Sequence, residues 1–150
     1  MADPTNWPAD VEYVGFWART GAALIDSLLL AAVIAPLLYW IYGPAYFAEA
    51  EAGAVRGPAD ALLNYVLPAV AVVVFWIYRQ ATPGKMIIGA QIVDAQTAQP
   101  PTTGQLIGRY FAYYISLIPL CVGFLWVAFD ARKQGWHDKL AKTVVVRKRR

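Results

Sequence analysis

Three long apolar stretches separated by polar segments set the pattern of this chain. Residues 21–42 and 61–78 each have about the length that a helix needs to cross a hydrocarbon layer, and their strongly polar positions are Asp26 and Asn64. Residues 104–129 form a third and longer stretch, with a proline near its middle. The pattern predicts two transmembrane helices, followed by an apolar region too long and too interrupted for one regular span.

Two short runs outside these stretches favour β-structure. Residues 86–94 and 143–147 are rich in β-branched side chains and lie beside polar, turn-forming residues. Because isolated strands are unstable, we expect the two runs to pair with each other as a small sheet on one side of the membrane.

This pairing constrains the third apolar stretch. A single straight crossing over residues 104–129 would place the bilayer between residues 86–94 and residues 143–147. Two half-length segments that meet near Pro119 would instead return the chain to the side on which it started. We favour this broken or re-entrant arrangement and keep the single span as the alternative.

The predicted fold class is therefore an all-α transmembrane protein with a small two-stranded cytoplasmic sheet. It has about three to four membrane helical segments, of which the last is broken or re-entrant. The chain forms a single domain over residues 1–150, in which residues 1–15 are a polar lead-in and residues 147–150 are a basic tail.

Composition and charge support a membrane location and suggest an orientation. The chain is 59% hydrophobic and only 15% charged, whereas soluble domains are about a quarter charged. Basic residues crowd at positions 147–150 and follow the second stretch at Arg79 and Lys85, while the connection over residues 43–60 has an excess of acids. Because cytoplasmic segments are enriched in Lys and Arg, we predict a multi-pass protein of a bacterial-type inner (plasma) membrane, with both termini cytoplasmic.

The basic tail also suggests a partner. Its formal charge contributes to a net charge of +3 for the chain, and a basic segment beside apolar helices attracts anionic lipid headgroups. We expect contact with membrane lipids, and we do not expect nucleic acid as a partner.

Ionisable residues inside the apolar stretches are the main functional candidates. An ionised carboxylate at the depth of Asp26 costs a few kcal/mol or more, so Asp26 should pair with a cation, coordinate an ion or take up a proton. Arg19 lies on nearly the same face of that helix, two turns away, and Arg109 is a second candidate for pairing with a carboxylate. We predict an ion-binding, proton-binding or salt-bridge network of Arg19, Asp26, Arg109, Asp130 and Asp138, with Ser27, His137 and Lys85 as accessory residues.

Small residues recur at every fourth position on two of the predicted helices. Such stripes allow helix backbones to approach closely in lipid, either between copies of the chain in a homo-oligomer or between helices of one chain, and both possibilities stay open. The helix-packing set is Ala23, Ser27, Ala31, Gly104, Gly108 and Ala112.

No catalytic chemistry stands out from the sequence. It contains one cysteine and one histidine, which excludes a cysteine or histidine metal cluster within one chain, and no nucleophile–base pair or phosphate-binding loop is evident. We expect no enzyme activity, no metal site and no cofactor, apart from Na⁺ or H⁺ as a transported ion.

Several of these segments together resemble the RDD family of membrane proteins, which is named for an arginine and two aspartates. The resemblance implies that Arg19, Asp26 and Asp138 are the naming residues, and Lys142 departs from the glycine that is usual in the family. It also implies transport, and sodium/proton exchange is proposed for some members. The matching segments are residues 16–26, residues 82–89 with the β-prone run that follows, Arg109 with Tyr110, and residues 137–146.

Two hypotheses for function follow. In the first, the protein is an ion-coupled carrier or channel, in which Asp26 alternates between protonated and ion-bound forms and Asp130 or Asp138 supplies further oxygen ligands. In the second, it is a structural or accessory membrane module, in which the arginines and aspartates form a buried salt-bridge network that fixes the helices against the sheet.

Overall fold

Two helices in the structure are long and apolar enough to cross a membrane. The computed structural model describes residues 8–49 and 54–149. Helix α1 spans Phe16–Tyr42, and a second continuous helix spans Pro58–Arg79. Both predicted spans are confirmed, and each begins earlier than its apolar stretch.

The second long helix changes geometry along its length. It consists of α3 (Pro58–Ala61), a π-helical segment (Leu62–Val66) and α4 (Leu67–Arg79). Proline at the start of α3 suits the first turn of a helix, where its missing N–H has no intrahelical partner. A short helix, α2 (Ala45–Ala48), follows α1.

The third apolar stretch is broken, as favoured from the sequence. Helix α6 (Thr103–Leu117) and helix α7 (Val122–Phe129) meet at an angle of 100°. Leu120 and Cys121, which lie between them, have positive φ angles of 52° and 62°, and such a backbone conformation ends a helix. The described residues therefore hold two possible spans, or three if the bent pair counts as one, rather than four.

The sheet has three strands, so the expectation of a two-stranded sheet is wrong. Strand β1 (Val11–Tyr13), strand β2 (Ala90–Asp94) and strand β3 (Thr143–Lys148) lie in the antiparallel order β1-β3-β2. The predicted pairing is present, with Asp94 opposite Thr143. Strand β1 escaped prediction because three residues inside a polar lead-in give too short a pattern to recognise.

Local boundaries differ from the sequence pattern in two further places. Helix α5 (Pro83–Ile87) occupies the start of the run that was predicted to be β-structure, because Pro83 suits the first turn of a helix. Arg147 belongs to β3 and pairs with Glu12 of β1 at 2.6 Å, so the tail is shorter than expected. A last short helix, α8 (Trp136–Leu140), precedes β3.

The buried core lies where the sheet meets the ends of the helices. Val14, Trp76, Ile92, Leu106 and Val145 form its main cluster. In contrast, α1 keeps large apolar side chains on the outside, with Trp17 81% and Trp40 84% exposed. An apolar outer surface of this kind is what lipid contact requires, so the interior packing concentrates at the sheet end of the molecule.

Candidate functional site

A buried carboxylate joins two arginines that are far apart in the sequence. Arg19 of α1 donates from Nη1 to Asp138 Oδ2 at 2.5 Å, and Arg109 of α6 donates from Nη1 to Asp138 Oδ1. Arg109 and Asp138 are fully buried, and the Arg19 side chain is 11% exposed. The structure thus brings three of the five predicted network residues into one cluster, which we call the Arg–Asp–Arg cluster.

Backbone and hydroxyl groups complete this cluster. The Gly135 N–H donates to Asp138 Oδ2 at 2.9 Å, and Arg109 Nη1 also donates to Thr143 Oγ1 at 2.7 Å. Arg19 reaches the carbonyls of Val14 and Lys133 at 2.9 Å and 2.5 Å. The cluster therefore ties α1, α6, α8 and β3 together, because each of these elements contributes a partner.

The protonation states of Asp138 and His137 follow from their surroundings. Burial raises the pKa of Asp138, but Arg109 and then Arg19 outweigh it and hold that pKa well below its usual range. Burial lowers the pKa of His137 to about 3. Asp138 is therefore ionised and His137 neutral near pH 7, and two arginine charges surround one carboxylate.

Asp26 lies outside the Arg–Asp–Arg cluster and accepts hydrogen bonds from neutral groups. Its Oδ2 accepts a hydrogen bond from the Thr82 hydroxyl at 2.5 Å, and its Oδ1 accepts one from the Gly84 N–H at 2.7 Å. Among the residues that the structure describes, no arginine or lysine bonds to Asp26. Asp26 thus holds the start of α5 against α1 through neutral donors.

The contact between α1 and α5 is close enough to require glycine at position 84. A Cβ on Gly84 would lie 2.0 Å from the carbonyl oxygen of Ala22 and 3.0 Å from Asp26 Cγ. The first of these is a backbone atom and cannot move aside cheaply. Gly84 therefore permits the approach that brings its N–H to the Asp26 carboxylate.

A cavity of about 530 Å³ lies between the helices, and we call it the central cavity. The charged side chains on its wall are Arg19, Asp26, Lys85 and Arg109. A smaller cavity of about 170 Å³ shares Asp26 and Thr82 with it. Asp26 thus lies on the wall of both cavities.

The remaining predicted residues take other places. Asp130 pairs with Lys139 at 2.5 Å and accepts from two backbone N–H groups in its own loop, so it lies apart from the Arg–Asp–Arg cluster. The Ser27 hydroxyl donates to the Ala23 carbonyl at 2.9 Å on the wall of the central cavity. His137 Nδ1 lies 3.3 Å from Ser116 Oγ.

The small-residue stripes divide between surface and interior. Ala23, Ser27 and Ala31 are exposed on α1, and Gly104 and Gly108 are exposed on α6. Ala112 is buried and lies one turn before Ser116. Ser116 packs closely against Gly123 of α7, because a Cβ added to Gly123 would lie 2.6 Å from Ser116 Cα. Part of the α6 stripe therefore serves packing within the chain.

Four site residues were missed from the sequence. Thr82 and Gly84 entered only within residues 82–89, which resemble the RDD family, and Trp76 and Tyr113 only within the second and third apolar stretches. Trp76 and Tyr113 lie 5.3 Å and 5.8 Å from the Arg109 guanidinium carbon, measured to the ring centroids. An aromatic side chain at the charged end of a span was the available signal, since aromatic faces attract cations.

Comparisons with known proteins agree on the family. The RDD family matches residues 13–142 of the chain, which therefore belongs to this family of membrane proteins. The three residues that the resemblance marks as naming residues take part in two sites, Arg19 and Asp138 in the Arg–Asp–Arg cluster and Asp26 at α5.

Its relatives carry little functional information. An uncharacterized protein of Bacillus subtilis, YxaI, is 34% identical over 89% of this chain and 97% of its own length. The uncharacterized membrane protein YteJ of the same organism is 26% identical over 89% of this chain and 80% of its own length. An uncharacterized protein of Rickettsia prowazekii is 40% identical, but over 50% of this chain and 41% of its own length. No solved structure matches the chain.

We predict that the protein loses stability between pH 7 and pH 5 because of His137. With a pKa of about 3 in the folded state and about 6.5 when unfolded, this imidazole stays neutral in the fold while the unfolded chain takes up a proton. Stability is therefore fully present above pH 6.5 and falls toward pH 3, by about 2 kcal/mol at pH 5. The stability that ionised Asp138 contributes is lost only at lower pH, because the pKa of Asp138 is depressed in the fold.

The measurement is the thermal unfolding of the protein in detergent at a series of pH values. His137→Phe keeps a ring beside Tyr113 and Phe124 and removes the titrating group, so its unfolding temperature should change less between pH 7 and pH 5. An equal fall in the variant and in the wild type would show that another group is responsible.

Proposed function

We propose that the protein is an ion-coupled transporter of a bacterial-type inner membrane, in which Asp26 takes up and releases a proton. The observation that carries this proposal is the position of Asp26, which lies on the wall of two cavities and is held by neutral donors from Thr82 and Gly84. Asp138 is unsuited to this role, because both of its oxygens bind arginine.

Proton uptake at Asp26 would change the packing of α1 against α5. Ionised Asp26 accepts hydrogen bonds with both oxygens, whereas a protonated carboxyl must use one oxygen as a donor. A proton on Oδ1 would remove the acceptor of the Gly84 N–H and loosen the contact, whereas a proton on Oδ2 would be donated to Thr82 Oγ1, because a hydroxyl accepts as well as donates. This gives a physical link between protonation and a movement of α5 relative to α1.

Sodium is the first candidate for the exchanged cation. Hard cations prefer oxygen ligands, and Asp26 and Thr82 are among the residues that line the smaller cavity. The central cavity carries three cationic side chains, from Arg19, Lys85 and Arg109, which oppose a cation there. We therefore infer that a cation would approach Asp26 from the smaller cavity, where its carboxylate is the charged group on the wall.

The test is proton movement in liposomes. We expect purified protein, reconstituted with an enclosed pH-sensitive dye, to move protons when a Na⁺ gradient is imposed. Asp26→Asn should abolish this flux, because an amide cannot carry the proton. The matched control is Asp10→Asn, which makes the same substitution at an exposed position ahead of β1. Absence of sodium-dependent proton movement in the wild type, or equal flux in Asp26→Asn, would reject the proposal.

A structural or accessory module is the second candidate function. It is favoured by the Arg–Asp–Arg cluster, because one buried carboxylate bonded to α1 and α6 fixes the helices against the sheet. In this case the exposed stripe of Ala23, Ser27 and Ala31 on α1 would meet a second copy, and the basic end of the chain would meet anionic lipid. Disulfide cross-linking of Ala31→Cys in membranes would report such a seam.

A further inference from the structure

Lys85 is a buried basic residue, and residues 8–49 and 54–149 offer it no anionic partner. The residue is 9% exposed and lies on the wall of the central cavity. Within the part of the chain that the structure describes, it makes no hydrogen bond or ion pair, and its ammonium lies 5.5 Å from the centroid of the Trp76 ring. A buried ammonium without a counterion is costly, so this position favours an anion.

The surrounding charges leave an excess of positive charge at this cavity. Arg19 and Arg109 share the carboxylate of Asp138, and Asp26 is held by Thr82 and Gly84. Burial lowers the pKa of Lys85, and the nearby arginines lower it further. Tyr113 and Asp138 act in the opposite direction. One further negative charge would balance the cavity and stabilise protonated Lys85.

Unused hydrogen-bond donors lie in the same place. Among the described residues, the buried side-chain atoms without a partner are Trp76 Nε1 and Arg109 Nε. Both are donors, and both belong to residues on the wall of the central cavity. Because buried donors normally have acceptors, two donors without a partner on residues that line the same cavity as Lys85 favour a ligand that carries hydrogen-bond acceptors.

Most of the remaining wall is apolar. A volume of about 530 Å³ falls within the range of small-molecule sites, so the cavity holds more than an inorganic ion. The ligand should therefore carry an apolar portion beside its acid group. The apolar wall residues are Phe16, Leu30, Val72, Phe124, Leu125 and Val127.

We propose that the central cavity binds a singly charged oxyanion attached to a hydrocarbon body, with Lys85 as its counterion. A carboxylate of a free amphiphile and the phosphodiester of an anionic lipid share this chemistry. The site does not depend on the transport proposed above, since binding requires only the cavity and its charges.

The test is ligand-dependent thermal stability of the whole chain in detergent. The probes are two anionic amphiphiles, dioctanoyl phosphatidylglycerol and decanoate. The controls are the zwitterionic dioctanoyl phosphatidylcholine, the uncharged decanol and inorganic phosphate, which has no hydrocarbon chain. At about 100 times Kd, an anionic amphiphile should raise the Tm of the wild type by about 5 °C or more. Phosphatidylglycerol acting alone would identify the lipid as the source, and decanoate acting alone would identify a free acid.

The variants separate the cavity from the surface. Lys85→Gln should lose the shift, while Arg79→Gln, which removes a charge from an exposed residue at the end of α4, should keep it. Each variant is compared with itself without ligand, so its basal stability cancels. Ala23→Phe, which fills the cavity from α1 and keeps every charge, should also lose the shift and serves if Lys85→Gln does not fold.

Three results would reject the proposed binding site. The first is that neither anionic amphiphile raises the Tm of the wild type. The second is an equal rise in the Tm of Lys85→Gln or Ala23→Phe, and the third is an equal rise with phosphatidylcholine, decanol or inorganic phosphate. If the anionic amphiphile binds but no sodium-dependent proton flux is found, the transport proposal is rejected and the binding site stands. The two proposals can therefore fail separately.

Discussion

Asp138→Asn is expected to destabilise the protein by about 3–5 kcal/mol, the range for removing one partner of a buried ion pair. The substitution leaves the side chains of Arg19 and Arg109 in the interior without a negative charge, since both bond to Asp138. The Gly135 N–H also loses its carboxylate acceptor. The effect should appear as a large fall in the unfolding temperature of the purified protein in detergent.

Asp10→Asn is the control for this variant, because Asp10 is exposed and surface substitutions of this kind change stability by about 0.5 kcal/mol or less. A fall of similar size in both variants would mean that the Arg–Asp–Arg cluster adds nothing to the fold. Arg109→Met should also be destabilising, but less so than Asp138→Asn, because Arg19 still balances the carboxylate.

Gly84→Ala is expected to cost at least about 3 kcal/mol, at the upper end of the range for overpacked sites. The new Cβ would lie 2.0 Å from the Ala22 carbonyl oxygen, so α5 would have to move away from α1. That movement also breaks the hydrogen bonds that Asp26 receives from Thr82 and Gly84. Thermal unfolding in detergent and the yield of folded protein measure this effect.

Gly108→Ala is the matched control. Gly108 lies inside α6, and a Cβ there would meet nothing within 4 Å, so alanine should be neutral or stabilising by up to about 1 kcal/mol. If Gly84→Ala were as stable as Gly108→Ala, the close approach of α1 and α5 would be wrong.

The sequence predicted the elements whose pattern is long or strongly constrained. Two apolar stretches of membrane length became α1 and the helix over Pro58–Arg79, because length and hydropathy together specify a span. The break near Pro119 was predicted from a topological requirement, since residues 143–147 had to return to residues 86–94. Such arguments succeed because few arrangements satisfy them.

Short elements were predicted less well. Strand β1 has three residues, and α5 has five residues at the start of a run with β-branched side chains. Neither length supports a periodic pattern, so tertiary contacts decide the local structure. Glu12 opposite Arg147 and the Asp26 carboxylate at the start of α5 are such contacts.

The candidate site shows the same limit. Asp26 and Arg109 stood out because charges are costly in lipid, and Arg19 and Asp138 because of the resemblance to the RDD family. The partners of all four depend on positions distant in the sequence. Asp26 was expected to meet a cation, an ion or a proton, and in the structure it accepts hydrogen bonds from Thr82 and Gly84. Hydrogen bonds from neutral groups leave no mark in a charge pattern, and this is why they were missed.

The central claim is that Asp138 holds the fold while Asp26 carries the proton. Asp26→Asn offers the most direct test when it is compared with Asp10→Asn, because each variant removes one carboxylate and Asp26 is the one that lies on the wall of the two cavities. The measurement is sodium-driven proton flux in liposomes that contain equal amounts of folded protein. We predict that Asp10→Asn retains flux and Asp26→Asn has none. Flux that is retained in both variants, or lost in both, would contradict the role of Asp26 as the proton carrier.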